Sequence, residues 1–178
     1  MNADSAAQAE KEILQKAGQQ LSGGLIDEFV KQGHHLTGGW EKSLHSTVLG
    51  TTNAVNLIGT AASYGNILND GVNPSRIPYG GESTGGKTSK YIEGLKAFWM
   101  LKGLSEKEAT SAAFATAKHQ KAEGMPTVGS YRFTQTGQRL RFIKIVDDKL
   151  IPEVNKTILG GINQIIDALF NEIKSETV

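Results

Sequence analysis

The stretch IPYGGESTGGKTSKYIEGLKAFWMLKGLSEKEATSAAFATAKHQKAEGMPTVGSYRFTQTGQRLRFI, residues 77–143, decides how the rest of the chain is read. It opens on Ile77-Pro78-Tyr79 and a glycine-rich loop from Gly80 to Lys87. Two helix patterns follow, over 89–101 and 105–123. The first presents Tyr91, Ile92, Leu95, Phe98, Trp99 and Leu101 as a broad apolar face, with Thr88 or Ser89 as its cap and Gly103 at its end. The second begins with a capping box, Ser105 followed three residues later by Glu108. It presents Ala109, Ala112, Ala113, Ala115, Thr116 and Ala117, with Phe114, so that another helix can approach closely. Lys118, His119, Lys121 and Glu123 form its polar end, and Gly124 then Met125-Pro126 stop it.

Outward from this stretch, the N-terminal side predicts a helix over 5–31, capped by Ser5. Ile13, Ala17, Leu21, Leu25 and Phe29 step by four, and Leu14, Ile26 and Val30 widen the stripe. Gly23-Gly24 interrupts it and marks a kink or a tight crossing. Residues 44–49 and 54–60 alternate as strands around the turn residues Gly50-Thr51-Thr52-Asn53, which predicts a hairpin. A short helix or turn over 63–68 follows, stopped by Asn69-Asp70-Gly71. On the C-terminal side Pro152 fits the first turn of a helix. Val154, Ile158, Ile162, Ile165, Leu169 and Ile173 form its stripe, widened by Leu150, Ile166 and Phe170. Gly160-Gly161 interrupts this stripe as Gly23-Gly24 interrupts the first, and the two pairs are expected to pack backbone to backbone.

The fold class expected is α+β: a long N-terminal helix (1–33), a core over 36–143 with a small antiparallel sheet, the glycine-rich loop and two central helices, and a long C-terminal helix (144–178). One domain accommodates all 178 residues. The 21 glycines and 7% aromatics suggest close backbone approaches more than a dense aromatic core. The chain has no cysteine, which excludes disulfides and thiolate chemistry. A net charge of +1 draws it toward no class of partner. The polar start is not a signal peptide, and no apolar run approaches the roughly 18 residues of a membrane span.

Gly81-Glu82-Ser83-Thr84-Gly85-Gly86-Lys87-Thr88 fits the phosphate-loop pattern, in which backbone N–H groups cradle phosphates, the lysine reaches the terminal ones and the threonine holds magnesium. That pattern needs a buried strand leading into it. Pro74 and Pro78 break up the preceding residues, so nucleotide binding stands as an alternative and a surface loop as the default. His34, His35 and His45 lack a carboxylate or cysteine at ligand spacing, so no metal is expected. No nucleophile, base and orienter set is visible and no nucleophile elbow is present, so neither catalysis nor a cofactor is expected. From Lys118 to Lys144 six cations (Lys118, Lys121, Arg132, Arg139, Arg141 and Lys144) stand against one Glu, with Tyr131 and Phe133 interleaved. Such a segment can face acidic protein, track DNA phosphates or remain solvated.

Ala113-Phe114-Ala115-Thr116-Ala117-Lys118-His119-Gln120-Lys121-Ala122-Glu123-Gly124-Met125-Pro126-Thr127 resembles a segment of tailed-phage neck proteins. So do Ile77-Pro78-Tyr79, Thr88-Ser89-Lys90-Tyr91-Ile92 and Phe133-Thr134-Gln135-Thr136-Gly137-Gln138-Arg139. Leu36-Thr37-Gly38 and Tyr64-Gly65-Asn66-Ile67-Leu68-Asn69-Asp70-Gly71 are similar to the segments flanking that family's strands. The family comprises the tail-completion, or head–tail connector, proteins, here in the form met in phages of Bacteroidetes. The likeness covers about residues 36–143; the family's glycine loop is less lysine-specific than this one. The resemblance implies a structural virion protein in the neck. It implies a homo-oligomeric ring in contact with portal, adaptor and tail proteins, with genomic DNA passing through its channel, and no membrane.

Overall fold

The computed structural model describes residues 3–50, 54–80 and 89–176. The chain is α+β and mostly helical. Helix α1 (Ala3–Lys31) leads to a short α2 (Gly39–Ser43), strands β1 (His45–Gly50) and β2 (Val55–Thr60), α3 (Tyr64–Asp70), α4 (Lys90–Leu101), α5 (Glu106–Glu123) and α6 (Phe142–Glu176). The chain divides into two compact units. The first takes the described residues of Met1–Lys31, Thr37–Gly65 and Arg141–Val178, and the second takes those of Gln32–Leu36 and Asn66–Leu140.

In the first unit three aromatic rings form the centre of the core. Phe29 stacks on Trp40 with centroids 4.3 Å apart, and Phe142 meets them edge-on at 5.3 and 5.2 Å. All three are buried. A close-packed aromatic cluster therefore does exist, where the low aromatic content argued against one. Trp40 lies on α2, a helix of one turn that carries too few residues to show a period. Gly65 is required beside it, because a Cβ there would fall 2.1 Å from Trp40 Nε1.

Helices α1 and α6 pack antiparallel below this cluster, and the glycine pairs fix how. A Cβ on Gly24 would lie 2.2 Å from Leu150 Cδ1, and one on Gly161 would lie 2.5 Å from both Cδ1 and Cγ1 of Ile13. Each helix thus seats a branched side chain of the other against a glycine. From Ile13 to Gly24 and from Leu150 to Gly161 the separation is the same, eleven residues. Eleven residues are about three helical turns, which returns both contacts to one face. The expected meeting of the two glycine pairs is not found. Gly23 and Gly160 face open space, and backbone does not meet backbone because side chains fill the gap. The buried carboxylate of Glu28 on α1 meets Lys149 Nζ of α6 at 3.5 Å.

Pro152 does not open α6, which already begins at Phe142. Arg141 takes a left-handed φ of 60°, and its carbonyl accepts the Ile145 N–H at 2.9 Å. Pro152 sits inside the helix on its exposed side and leaves one rung of the ladder unmade. Likewise Ser5 lies inside the first turn of α1, which starts at Ala3.

The hairpin forms as expected, with an unbroken antiparallel register from His45↔Thr60 to Gly50↔Val55. Turn residues Thr51 to Asn53 lie outside the described residues. One face of the ribbon rests on α1, where Gly18 leaves room for Leu57 and Ser46.

In the second unit α4 and α5 pair through small residues. Ala109, Ala113 and Ala117 are fully buried, and Ile92, Leu95, Trp99, Tyr91 and Tyr79 gather against that face. Trp99 Nε1 donates to Thr116 Oγ1 at 2.9 Å, and Tyr91 Oη donates to Gln120. Ser89 caps α4 by accepting the Ile92 N–H, and Glu108 Oε2 closes the capping box on the Ser105 N–H at 3.0 Å. After α5 the chain is pinned by a two-way bridge between Val72 and Met125, 2.8 Å in each direction. Gly71 and Gly124, both at positive φ, flank it.

The glycine pairs predict opposite outcomes for neighbouring substitutions. Gly23→Ala and Gly160→Ala should each raise stability by about 0.5–1 kcal/mol, through helix propensity alone. Gly161→Ala should lower it by about 1–3 kcal/mol, because Ile13 is stiff at χ1 and presents three atoms to the new methyl. Gly24→Ala should fall between, since the tip of Leu150 must move and Val146 Cγ1, at 3.3 Å, must give only slightly. Urea denaturation of the four variants checks the order.

Candidate functional site: the basic segment

The six cations of residues 118–144 are divided between the two units. Lys118, Lys121, Arg132 and Arg139 belong to the second unit, Arg141 and Lys144 to the first. Three of the six are already engaged. Lys121 Nζ donates to the Ile77 carbonyl at 3.1 Å and holds the segment entering the glycine loop against α5. Lys144 pairs with Asp148 at 2.9 Å, one turn along α6.

Arg139 is the most committed. It is partly buried, and its guanidinium donates to the Ser130 carbonyl at 3.2 Å and to the Gly33 carbonyl at 3.3 Å. Its own carbonyl lies 3.2 Å from His34 Nε2, and the neighbouring Leu140 carbonyl accepts from the buried Gln32 amide. Gly33, at φ 73°, lets the Phe133 carbonyl approach to where a Cβ would stand 2.7 Å away. A cation that sequence offers for DNA or protein contact thus clips residues 32–34 to residues 130–140. The pattern of a basic run cannot distinguish a clip from a contact, because both require only a cation. Burial also pushes the His34 imidazole down to about 4, aided by the positive charge of Arg139 and opposed by the hydrogen bond with the Arg139 carbonyl.

Lys118, Arg132 and Arg141 remain exposed. Arg132 lies over the Phe133 ring, 4.7 Å from guanidinium carbon to centroid. Phe133 is itself exposed, as is Val128 at the start of the same 3-10 segment, Val128–Phe133. This makes a small apolar and cationic knob on the second unit.

The phosphate-loop pattern Gly81 to Thr88 lies outside the described residues. The residues that lead into it pass from a 3-10 turn (Pro74–Arg76) through extended backbone at Ile77, and no strand precedes it. The sheet among the described residues is the two-stranded antiparallel one. Among the described residues, no group of three or more His, Asp or Glu side chains is placed to hold a metal ion. No helix of the described residues is long and apolar enough to cross a membrane. Comparison with protein-family models, with curated proteins and with solved structures finds no match.

The Arg139 clip predicts a pH dependence. The His34 site favours the neutral ring, so as pH falls below about 6.5 the unfolded chain takes up its proton first. Stability should therefore decline from pH 6.5 to about 4 and level off below, as far as this group is concerned. In His34→Gln this part of the decline should vanish from denaturation midpoints measured across that range. Arg139→Ala should cost about 1–3 kcal/mol by leaving carbonyls unmatched, whereas Lys118→Ala and Arg132→Ala should stay within about 0.5 kcal/mol.

Proposed function

We propose that the chain is a non-catalytic structural subunit of a tailed-phage neck, assembling as a ring between portal and tail. The observation that supports this most is the second half of α6. Leu159, Ile162, Ile166 and Phe170 are exposed by 40–61%. At about 100° per residue they fall within an arc of roughly 80°, a continuous apolar stripe beside the face that α1 covers. A stripe of this kind on a water-facing helix marks a surface built to be covered by protein. The start of α1, which runs antiparallel alongside, supplies Ala6 and Ala9 rather than large side chains.

The order of motifs over residues 36–143 supports the same reading, through its resemblance to tail-completion proteins. The use of Lys121 and Arg139 inside the fold supports protein docking over a free DNA-binding role.

Light scattering and negative-stain images of the purified protein, alone and with portal and tail proteins, test the proposal. A closed ring is expected. Ile166→Asp with Phe170→Asp should abolish it while leaving helical circular dichroism unchanged, since both positions are exposed. A chain that stays monomeric with every virion neighbour overturns the proposal.

A further inference from the structure

We infer that successive copies join through the two free edges of the β1–β2 ribbon, with β2 of one copy pairing antiparallel with β1 of the next. This rests on the ring assembly proposed above and names the surface that closes it.

Half of each strand's N–H and C=O groups point away from the ladder. Among the described residues, no hydrogen bond reaches these groups in either strand. Folded proteins guard such edges with charged side chains, proline, a bulge or a covering segment. Here the charged, proline and bulge guards are missing. Neither His-Ser-Thr-Val-Leu-Gly (45–50) nor Val-Asn-Leu-Ile-Gly-Thr (55–60) contains Lys, Arg, Asp, Glu or Pro. The six-pair register runs without a bulge. The face turned away from α1 carries Thr47, Leu49, Asn56 and Ile58, with Leu49 51% and Ile58 44% exposed. A two-stranded ribbon is also marginal as a sheet, and extending it adds stability.

The occupant that fits both edges is a second copy of the same ribbon. Its strands match in length, six residues each. When ribbons are related by rotation about an axis along the strands, β2 of one copy runs opposite to β1 of the next, so every new pair is antiparallel. Closure removes the last edge, as a heterologous contact that returns on itself requires. Area favours a ring over a dimer. A strand of this length spans about 20 Å, and one edge contact buries roughly 400 Å², well below the ~1,000 Å² of a stable pair. In a ring each copy makes the contact twice and adds the α6 stripe to it.

The chain has no cysteine, so introduced ones report cleanly. Thr47→Cys chains are mixed, in the assembling condition, with Asn56→Cys, Ile58→Cys or Thr60→Cys chains, which lie on the same face of β2. A mixed disulfide with one of the three is expected on mild oxidation. Thr47→Lys with Ile58→Lys supplies the missing guard and should reduce the ring to monomer with unchanged circular dichroism. If full-size rings form but no mixed disulfide appears and the double lysine chain still assembles, the edge contact is wrong and the ring stands. Disulfides only between identical variants would mean two-fold pairing and also overturn the inference. Absence of any assembly overturns the ring and the edge contact together.

Discussion

The contact on which the first unit depends is the stack of Phe29 on Trp40, closed at its edge by Phe142. The three rings come from the end of α1, the one-turn α2 and the first residue of α6, so a single cluster ties together segments more than a hundred residues apart in sequence. Once the end of α1 and the start of α6 are fixed there, the two helices can only run away from the cluster side by side and antiparallel. The seating of Leu150 against Gly24 and of Ile13 against Gly161 follows from that start. So does the place of the hairpin, which uses Gly18 to lie close on α1.

The second unit is held by different means. Its two main helices meet where large side chains of α4 pack on alanines of α5, and alanines offer little apolar area per residue to bury. Specific polar contacts compensate: Trp99 with Thr116, Tyr91 with Gln120, Lys121 with the Ile77 carbonyl and Arg139 with two carbonyls. Positive-φ glycines at 33, 71 and 124 let carbonyl oxygens come near enough for the loops to be pinned by backbone. Cations that look like a binding surface in sequence are, in part, the fasteners of this unit.

What was legible in the sequence was whatever has a period or a punctuation mark. The stripe of α1, the capping box of α5, the alternation of the two strands and the alanine face all have local signatures, and the structure has those elements. The failures have a common cause. Trp40 sits on a helix too short for any period, and Pro152 mimics a helix start because the first turn is where proline is best tolerated, whereas α6 carries it inside with one rung of its ladder unmade. The glycine pairs showed where close packing would occur, but not what would fill it; that is settled by side chains distant in sequence, Leu150 at Gly24 and Ile13 at Gly161. Of the six basic residues, two, Lys121 and Arg139, turn out to tie separate segments of the fold together, which a count of charges has no means of revealing.

The matched seating of α1 and α6 constrains how this chain can vary in length. A single residue added or lost between Ile13 and Gly24 would rotate one contact by about 100° and shift it by about 1.5 Å along the axis, lifting a side chain out of its seat. The same change between Leu150 and Gly161 would do likewise. These two eleven-residue intervals therefore behave as a fixed ruler shared by both helices, and the ring contacts of Phe29 and Phe142 hold the stretches from Gly24 to Phe29 and from Phe142 to Leu150 to length in the same way.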